Sequence, residues 1–329
     1  MSGMSHETMR AAVLAAPGEV RLERVPLPRP AASQVRIRLQ GSGLCASNVP
    51  AFEGRDWFSY PMPAGDLGHE GWGVVDAVGD EVSGVVPGQR VAALSYRAYA
   101  EYDVAEAAHV VPLPPELDGQ PFPGEALGCA MNIFRRADVR AGQTVAIVGV
   151  GFLGAALIQL CAKASARVIA VARSEAALDL ARRCGAQQVL PMLDHATLIE
   201  QVSGLTGGAF CERSIECTGK PWPLDLAGEF TGVRGRLVIA GFHQDGLRQV
   251  NVQLWNWRGI DVVNAHERDP AIATEGMRLA VEAVLDGTLD LSLLVTHTFP
   301  LEQAGAALTA VRERPDGFTK AVLLMEDAA

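Results

Sequence analysis

Two short stretches in the first third of the chain carry side chains able to hold a metal ion and move a proton. Gly43-Leu-Cys45-Ala-Ser47-Asn48 sets a thiol near a hydroxyl, and Asp66-Leu-Gly68-His69-Glu70-Gly71 sets an imidazole beside a carboxylate. Cysteine, histidine and a carboxylate suit Zn²⁺, a borderline-soft ion that takes three protein groups and keeps one position open when catalytic. Spacing alone does not join the two stretches. A buried free cysteine and an ordinary loop histidine account for the same residues. A third stretch, Thr144 to Ser174, has a different purpose. An apolar run, Thr144-Val-Ala-Ile-Val148, leads into Gly149-Val-Gly151-Phe152-Leu153-Gly154. An apolar-faced segment to Ala166 follows, and then the β-branched run Arg167-Val-Ile-Ala-Val-Ala172. Strand, glycine turn, helix and strand make a βαβ unit whose turn is shaped for a dinucleotide pyrophosphate. Gly149 permits the tight turn, Gly151 lets backbone approach the phosphates, and Gly154 lets helix pack on strand. The helix N-terminus, at Phe152 and Leu153, offers backbone N–H groups and a positive dipole end.

These groups need elements to hold them. From Met9 to about Gln120 the texture is rich in strands and turns. Strands are expected at Arg10–Ala15, Gln34–Leu39 and Gly73–Val78, and no helix of ordinary length before about Gly124. Alternation of Val35, Ile37 and Leu39 with Arg36 and Arg38 marks half-buried strands of a small barrel or sandwich. A helix over Gly124–Ala137 feeds the Thr144 strand. Ser174 caps a helix that runs to Cys184 and stops at Gly185. Strands then recur at Gln188–Leu190, Phe210–Cys217, Arg236–Ala240 and Ile260–Val263, with helices near His195–Ser203 and Pro223–Phe230. This alternation predicts a doubly wound parallel sheet. The tail reads as a helix over Pro270–Asp286, a strand near Val295–Phe299, a helix over Leu301–Arg312 and a strand over Lys320–Met325. Such a tail can return to complete the first domain. Trp222, Trp255 and Trp257 are read as packing residues, and His266 with Glu267 as a hinge or interface pair.

Composition narrows the classes. The 329 residues are 49% hydrophobic with 34 glycines, which fits a folded α/β chain of two domain cores. The formal charge is −10 with no basic cluster, arguing against nucleic acid or anionic membrane as partner. No apolar run reaches membrane-spanning length, and Met1–Thr8 reads as a flexible polar extension without a signal-peptide core. The six cysteines lack disulfide-scaffold spacing. Cys161, Cys184, Cys211 and Cys217 are expected as small buried hydrophobes in a reducing cytoplasm.

The Gly-Leu-Cys-Ala-Ser stretch, the Gly-His-Glu stretch and the later glycine loop, in that order, resemble the medium-chain dehydrogenase/reductase superfamily in its zinc-dependent alcohol and polyol dehydrogenase branch. The likeness runs from Met9 to Met325. It implies an α/β chain with a GroES-like β-rich catalytic domain at 9–125 and 266–329, and a Rossmann domain with a doubly wound parallel sheet at 126–265. It implies zinc on Cys45, His69 and Glu70, with Glu125 placed by the metal directly or through water and Cys129 as runner-up. Ser47 matches the hydroxyl that receives the alcohol proton. Pro50 stands where many relatives continue that relay with a histidine, so the proton leaves through water or a cofactor ribose hydroxyl. Asn48 replaces a common aspartate. Relatives with a structural zinc carry four close cysteines after the region of Val91; Ala92–Tyr102 has none, so one catalytic zinc and no structural zinc are expected.

The cofactor implied is NADP(H), with NAD(H) as alternative. The second strand of the βαβ unit ends in Ala172 where NAD-preferring relatives place an acid, and Arg173-Ser174 suit a 2′-phosphate. Lys320 matches a basic residue that contacts the pyrophosphate in relatives, the competing reading being a surface lysine. Trp57, Phe58 and Tyr60 fall where relatives wall the substrate pocket. The activity implied is hydride transfer between nicotinamide and a secondary alcohol or polyol and its ketone, in a cytoplasmic homodimer or homotetramer. The rival readings are a zinc-independent quinone or enoyl reductase, whose members lack the cysteine and Gly-His-Glu ligands, and a non-catalytic NAD(P)H-binding protein.

Overall fold

The computed structural model describes residues 7–325. The chain divides into two compact units. The first takes the chain up to Gly128, then Asp269–Leu285 and the chain from Val295 on; the second takes Cys129–Arg268 and Asp286–Leu294. The sequence assigns all of 266–329 to the first unit, but Asp286–Leu294 clusters with the second, where the Asp290 N–H donates to Gln159 at 2.7 Å.

In the first unit β1 (Thr8–Ala16) and β2 (Glu19–Pro26) form an antiparallel hairpin. The expected extension over Met1–Thr8 lies outside the described residues up to His6, while Thr8 already pairs with Pro26. β3 (Gln34–Gly43), the short helix α1 (Val49–Phe52), β4 (Gly71–Val78), β5 (Arg90–Ala93), β6 (Tyr102–Glu106) and β7 (Val110–Pro112) follow. The alternation in β3 does what its period demands: Val35, Ile37 and Leu39 are buried, while Arg36 pairs with Asp76 on β4. Each such aliphatic side chain contributes about 1.5–3 kcal/mol by leaving water. β2 escapes the sequence reading because most of its side chains, Glu19, Arg21, Glu23 and Arg24 among them, face solvent and show no buried stripe.

The second unit begins within α2 (Gly124–Ala137). It continues through β8 (Thr144–Val148), α3 (Phe152–Lys163), β9 (Arg167–Ala172), α4 (Glu175–Arg183), β10 (Gln188–Pro191), α5 (His195–Leu205), β11 (Cys211–Glu216), α6 (Pro221–Phe230), β12 (Thr231–Ile239), α7 (Val252–Arg258) and β13 (Asp261–Asn264). Its six strands are all parallel, in the order β10-β9-β8-β11-β12-β13. The order reverses between β8 and β11, the switch point beside which open α/β sheets take their ligands. The central strands are buried on both faces, as their unbroken apolar runs require. Helix α7 is missed by the sequence reading; the Asn251 side chain caps it and Gly259 ends it at φ +60°. Trp255 on α7 packs on the core, but Trp257 is 87% exposed, which overturns its reading as a packing residue. Two residues apart on a helix of 3.6 residues per turn, the two tryptophans point to nearly opposite faces, one inward and one outward. Of the four cysteines expected inside, Cys161, Cys184 and Cys211 are buried, while Cys217 keeps partial exposure.

The tail carries α8 (Pro270–Leu285), α9 (Leu291–Leu294), β14 (His297–Pro300), α10 (Ala304–Glu313) and β15 (Ala321–Leu324). It does return to the first unit. β15 pairs antiparallel with β3, and β14 extends the sheet in the order β14-β15-β3-β4-β5-β7, with β6 also on β3. Among the described residues no helix is long and apolar enough to cross a membrane.

Candidate active site

Strand register brings the two chemistry-bearing stretches together. Cys45 lies just beyond the end of β3 and Glu70 just before the start of β4. The antiparallel pairing of Ser42 with Gly71 sets those ends side by side. Cys45, His69 and Glu70 each offer a ligand atom within 4.8 Å of the other two. The alternative of an unrelated cysteine and loop histidine is thereby removed. β15 adds the third arm: Val322 pairs with Gly43 and Ala321 accepts from the Leu44 N–H, so Lys320 arrives beside the carboxylate.

Each side chain is held in a way that suits its chemistry. Cys45 caps the 3-10 turn Ala46–Asn48, its sulfur accepting the Ser47 N–H at 3.5 Å. Burial pushes the thiol up, but the hydrogen bond and charge of His69 outweigh it, and Lys320 adds to them, so Cys45 lies below its ordinary value. His69 places Nδ1 2.9 Å from the Leu67 carbonyl. A carbonyl only accepts, so Nδ1 carries the proton and Nε2 is left for a partner. Burial opposes the charged ring, yet the Cys45 bond and the charges of Cys45, Glu125 and Glu70 raise His69 to about 10. Each of the pair favours the charged form of the other, the environment a cation bound between them would meet.

Glu70 is fully buried, and Lys320 is 5% exposed. The Lys320 ammonium donates to Glu70 Oε1 at 2.8 Å and to the Leu44 carbonyl at 3.3 Å. It also lies 2.7 Å from Oε2, but without hydrogen-bond geometry, so Oε2 stays a buried oxygen with no formed bond. This overturns the surface-lysine reading of Lys320. A signal for the pair was present in Gly43, where any Cβ would overlap Glu70 Oε2; the sequence offers no way to see what the glycine makes room for. A cysteine sulfur, an imidazole nitrogen and a carboxylate oxygen within 4.8 Å of one another are a donor set that fits a zinc ion with one position open. Glu125, on the first turn of α2, acts on His69 by its charge but lies outside the cluster of three. Cys129 is partly buried and belongs to the second unit.

Ser47 donates from Oγ to Asn48 Oδ1 at 3.3 Å. Asn48 is 3% exposed, and its amide nitrogen donates to the Leu67 carbonyl at 2.9 Å and to the Tyr99 hydroxyl at 2.7 Å. Tyr99 was not singled out by the sequence reading, because it stands far along the chain with no motif around it. Burial, with the charges of Glu70 and Cys45 close by, pushes it well above its ordinary value, so it remains a protonated hydroxyl. Trp57, one of the aromatics between the ligand stretches, is 60% exposed and tilted against Phe58.

The second unit shows the geometry of a phosphate turn. Gly149 follows β8 at φ +100°, and a Cβ on Gly154 would overlap the Gly149 carbonyl oxygen. Helix α3 starts at Phe152 and Leu153, with Gly151 as a cap that has no side chain to bond to the helix start. The Thr218 methyl fills the place a Gly149 Cβ would take. Thr218 is gripped by Glu216 at the end of β11: Oε1 accepts its N–H and hydroxyl at 2.5 Å each, and Oε2 lies 2.9 Å from His243 Nε2. Glu216 and His243 were not predicted. At the end of β9, Ala172 is buried, Arg173 is exposed, and the Ser174 hydroxyl accepts the Ala177 N–H at 3.3 Å as the cap of α4. His266 stacks on Phe242, with ring centroids 5.4 Å apart.

Known proteins resemble this chain in sequence and fold. The alcohol dehydrogenase GroES-like domain matches residues 31–115, and the zinc-binding dehydrogenase domain matches residues 153–282. Sorbitol dehydrogenase of Homo sapiens is 28% identical over 335 residues, covering 89% of this chain and 89% of its own. An alcohol dehydrogenase of Cupriavidus necator is 25% identical over 371 residues, covering 95% of this chain and 97% of its own. The crystal structure of an NAD-dependent alcohol dehydrogenase aligns with a TM-score of 0.84 at 26% identity, over 97% of this chain and 100% of that one. With a GroES-like sheet, a Rossmann sheet and these two matched domains, the chain belongs to the medium-chain dehydrogenase/reductase superfamily, and the relatives named above are sorbitol and alcohol dehydrogenases. It is an oxidoreductase of that superfamily.

Proposed function

We propose that the protein is a zinc-dependent, NAD(P)(H)-linked alcohol dehydrogenase or carbonyl reductase, acting between a secondary alcohol or polyol and its ketone. The observation that carries this reading is the convergence of Cys45, His69 and Glu70 to within 4.8 Å. Zinc held by those three supplies a Lewis acid for the substrate oxygen. Cys45 and His69 bind as thiolate and neutral imidazole. Glu70 brings the carboxylate, and Lys320 keeps it in place from behind. Glu125 stands by as a further carboxylate, placed to act on the metal directly or through water. Ser47 takes the proton that an alcohol must lose. With Pro50 three residues further on in place of a histidine, that proton passes on through water or a cofactor ribose hydroxyl. The Gly149–Gly154 turn and the N-terminus of α3 hold the dinucleotide pyrophosphate, with backbone N–H groups at Phe152 and Leu153. NADP(H) is the favoured cofactor and NAD(H) the alternative. The support is local: β9 ends in Ala172 without an acid, and the exposed Arg173 is available to a 2′-phosphate.

The same reading includes one zinc per chain, a cytoplasmic setting consistent with six free cysteines, and a homodimer or homotetramer. One experiment tests the core of it. Zinc is measured in the purified protein, and oxidation of a panel of secondary alcohols and polyols is followed with NADP and with NAD. Zinc near one per chain, loss of turnover on removal, and loss of both metal and turnover in Cys45→Ala are the expected results. Full activity in zinc-free protein overturns the proposal.

A further inference from the structure

The buried amide of Asn48 does more than fill space beside the metal-ligand cluster. Its two hydrogens go to the Leu67 carbonyl at 2.9 Å and the Tyr99 hydroxyl at 2.7 Å, while its oxygen accepts from the Ser47 hydroxyl at 3.3 Å. The orientation of the amide is fixed by chemistry, because a carbonyl offers only lone pairs and must face the nitrogen end. The Leu67 carbonyl that Asn48 holds is the same one that takes His69 Nδ1 at 2.9 Å. Leu67 sits at φ +76°, a left-handed conformation that a branched side chain adopts only when its surroundings impose it. Two donors converging on its carbonyl oxygen, one from Asn48 and one from His69, are such an imposition.

We infer that Asn48 is the positioning residue of this centre, fixing through one carbonyl the ring that presents Nε2 to the metal, and through its oxygen the hydroxyl that takes the proton. The inference rests on the zinc reading proposed above and extends it. An aspartate in this place would set a carboxylate oxygen against the Leu67 carbonyl oxygen and lose both donated bonds. It would keep an acceptor for Ser47. The neutral amide therefore matches a centre whose histidine is aimed by a backbone carbonyl, with no carboxylate on Nδ1. Tyr99 supports Asn48 from behind at 2.7 Å, and its hydroxyl also meets the backbone of Cys45.

The test compares the full-length wild type with Asn48→Ala, Asn48→Asp and Tyr99→Phe. Zinc affinity is measured by competition with a chromophoric chelator, and the coordination sphere is read from the absorption of Co²⁺-substituted protein. Loss of an outer hydrogen-bond partner of a metal-bound histidine costs about 10–100-fold in metal affinity, and Asn48→Ala should fall in that range with altered Co²⁺ bands. Asn48→Asp should lose zinc affinity as well, yet keep more of its turnover number than Asn48→Ala, because Ser47 retains its acceptor. Tyr99→Phe removes one partner of Asn48 but leaves its bonds to Leu67 and Ser47, so it should lose less zinc affinity than Asn48→Ala. Should Asn48→Ala fail to fold, Asn48→Asp carries the same test. Wild-type affinity and an unchanged Co²⁺ spectrum in either Asn48 variant overturn the inference while leaving the zinc reading intact. A wild type that takes up no zinc overturns the zinc reading first, and this inference with it.

Discussion

Replacing Lys320 by methionine probes the buried pair that the tail of the chain brings to the centre. Glu70 has no solvent exposure and Lys320 only 5%, with 2.8 Å between Nζ and Oε1. Methionine keeps most of the stem volume and removes the charge, leaving a carboxylate without water and without its cation. Breaking one side of a buried pair in this way costs about 3–5 kcal/mol. At about 2–4 °C per kcal/mol for a domain of this size, the melting temperature of the zinc-free protein should fall by roughly 6–20 °C. The double variant Glu70→Gln/Lys320→Met removes the orphaned charge and should recover most of that loss, since an uncharged pair escapes the desolvation penalty. Zinc adds a second discriminating arm: a cation on Glu70 replaces part of what the ammonium supplied, so the deficit of Lys320→Met should shrink when zinc is present. Thermal unfolding followed by circular dichroism, with and without zinc, reads all of this. A single variant that melts within about 2 °C of wild type in chelator would refute the pairing argument.

Three further outcomes follow from the same geometry. Because His69 holds the Cys45 thiol below its ordinary value, zinc-free protein should be alkylated by iodoacetamide at Cys45 at near-neutral pH, the rate falling only as pH drops through that lowered value. Cys161 and Cys211, pushed up to about 12 by burial, should stay unreacted, and peptide mapping that finds all three modified alike would contradict the assignment. A methyl added at Gly154 overlaps the Gly149 carbonyl oxygen, so Gly154→Ala should destabilise the chain by about 1–3 kcal/mol and abolish nicotinamide fluorescence enhancement on cofactor titration. Arg173→Ala should raise the KM for NADP by roughly 10–100-fold, the worth of a charge-assisted bond, and leave that for NAD nearly unchanged; equal effects on both cofactors count against NADP selection at this strand end.

Much of the second unit was legible because its signals are local. Strands buried on both faces read as unbroken apolar runs, Ser174 announces α4, and Gly185 at φ +106° stops it. The glycine turn carries its purpose in its own spacing. In the first unit β1, β3 and β4 were legible as strands, β3 by its alternating Val35, Ile37 and Leu39, whereas β2 is mostly solvated and β5 to β7 are too short to show a period. Helix α7 hid for the opposite reason, its apolar residues including one that points into solvent, Trp257.

The sequence by itself determined which residue types were on hand: a thiol, an imidazole and a carboxylate in two glycine-flanked stretches, and a turn shaped for pyrophosphate. Tertiary structure alone decided that Ser42 pairs with Gly71 and Val322 with Gly43, and those two registers assemble Cys45, His69, Glu70 and Lys320 into one cluster. It also decided that Lys320 is buried on Glu70, that Glu125 stands outside the cluster of three, and that Asn48 and Tyr99 stand behind His69. The physical reason is that residue type and local period are properties of neighbours along the chain. Burial, pairing and the aim of a hydrogen bond are set by strands that meet only after the chain has closed on itself.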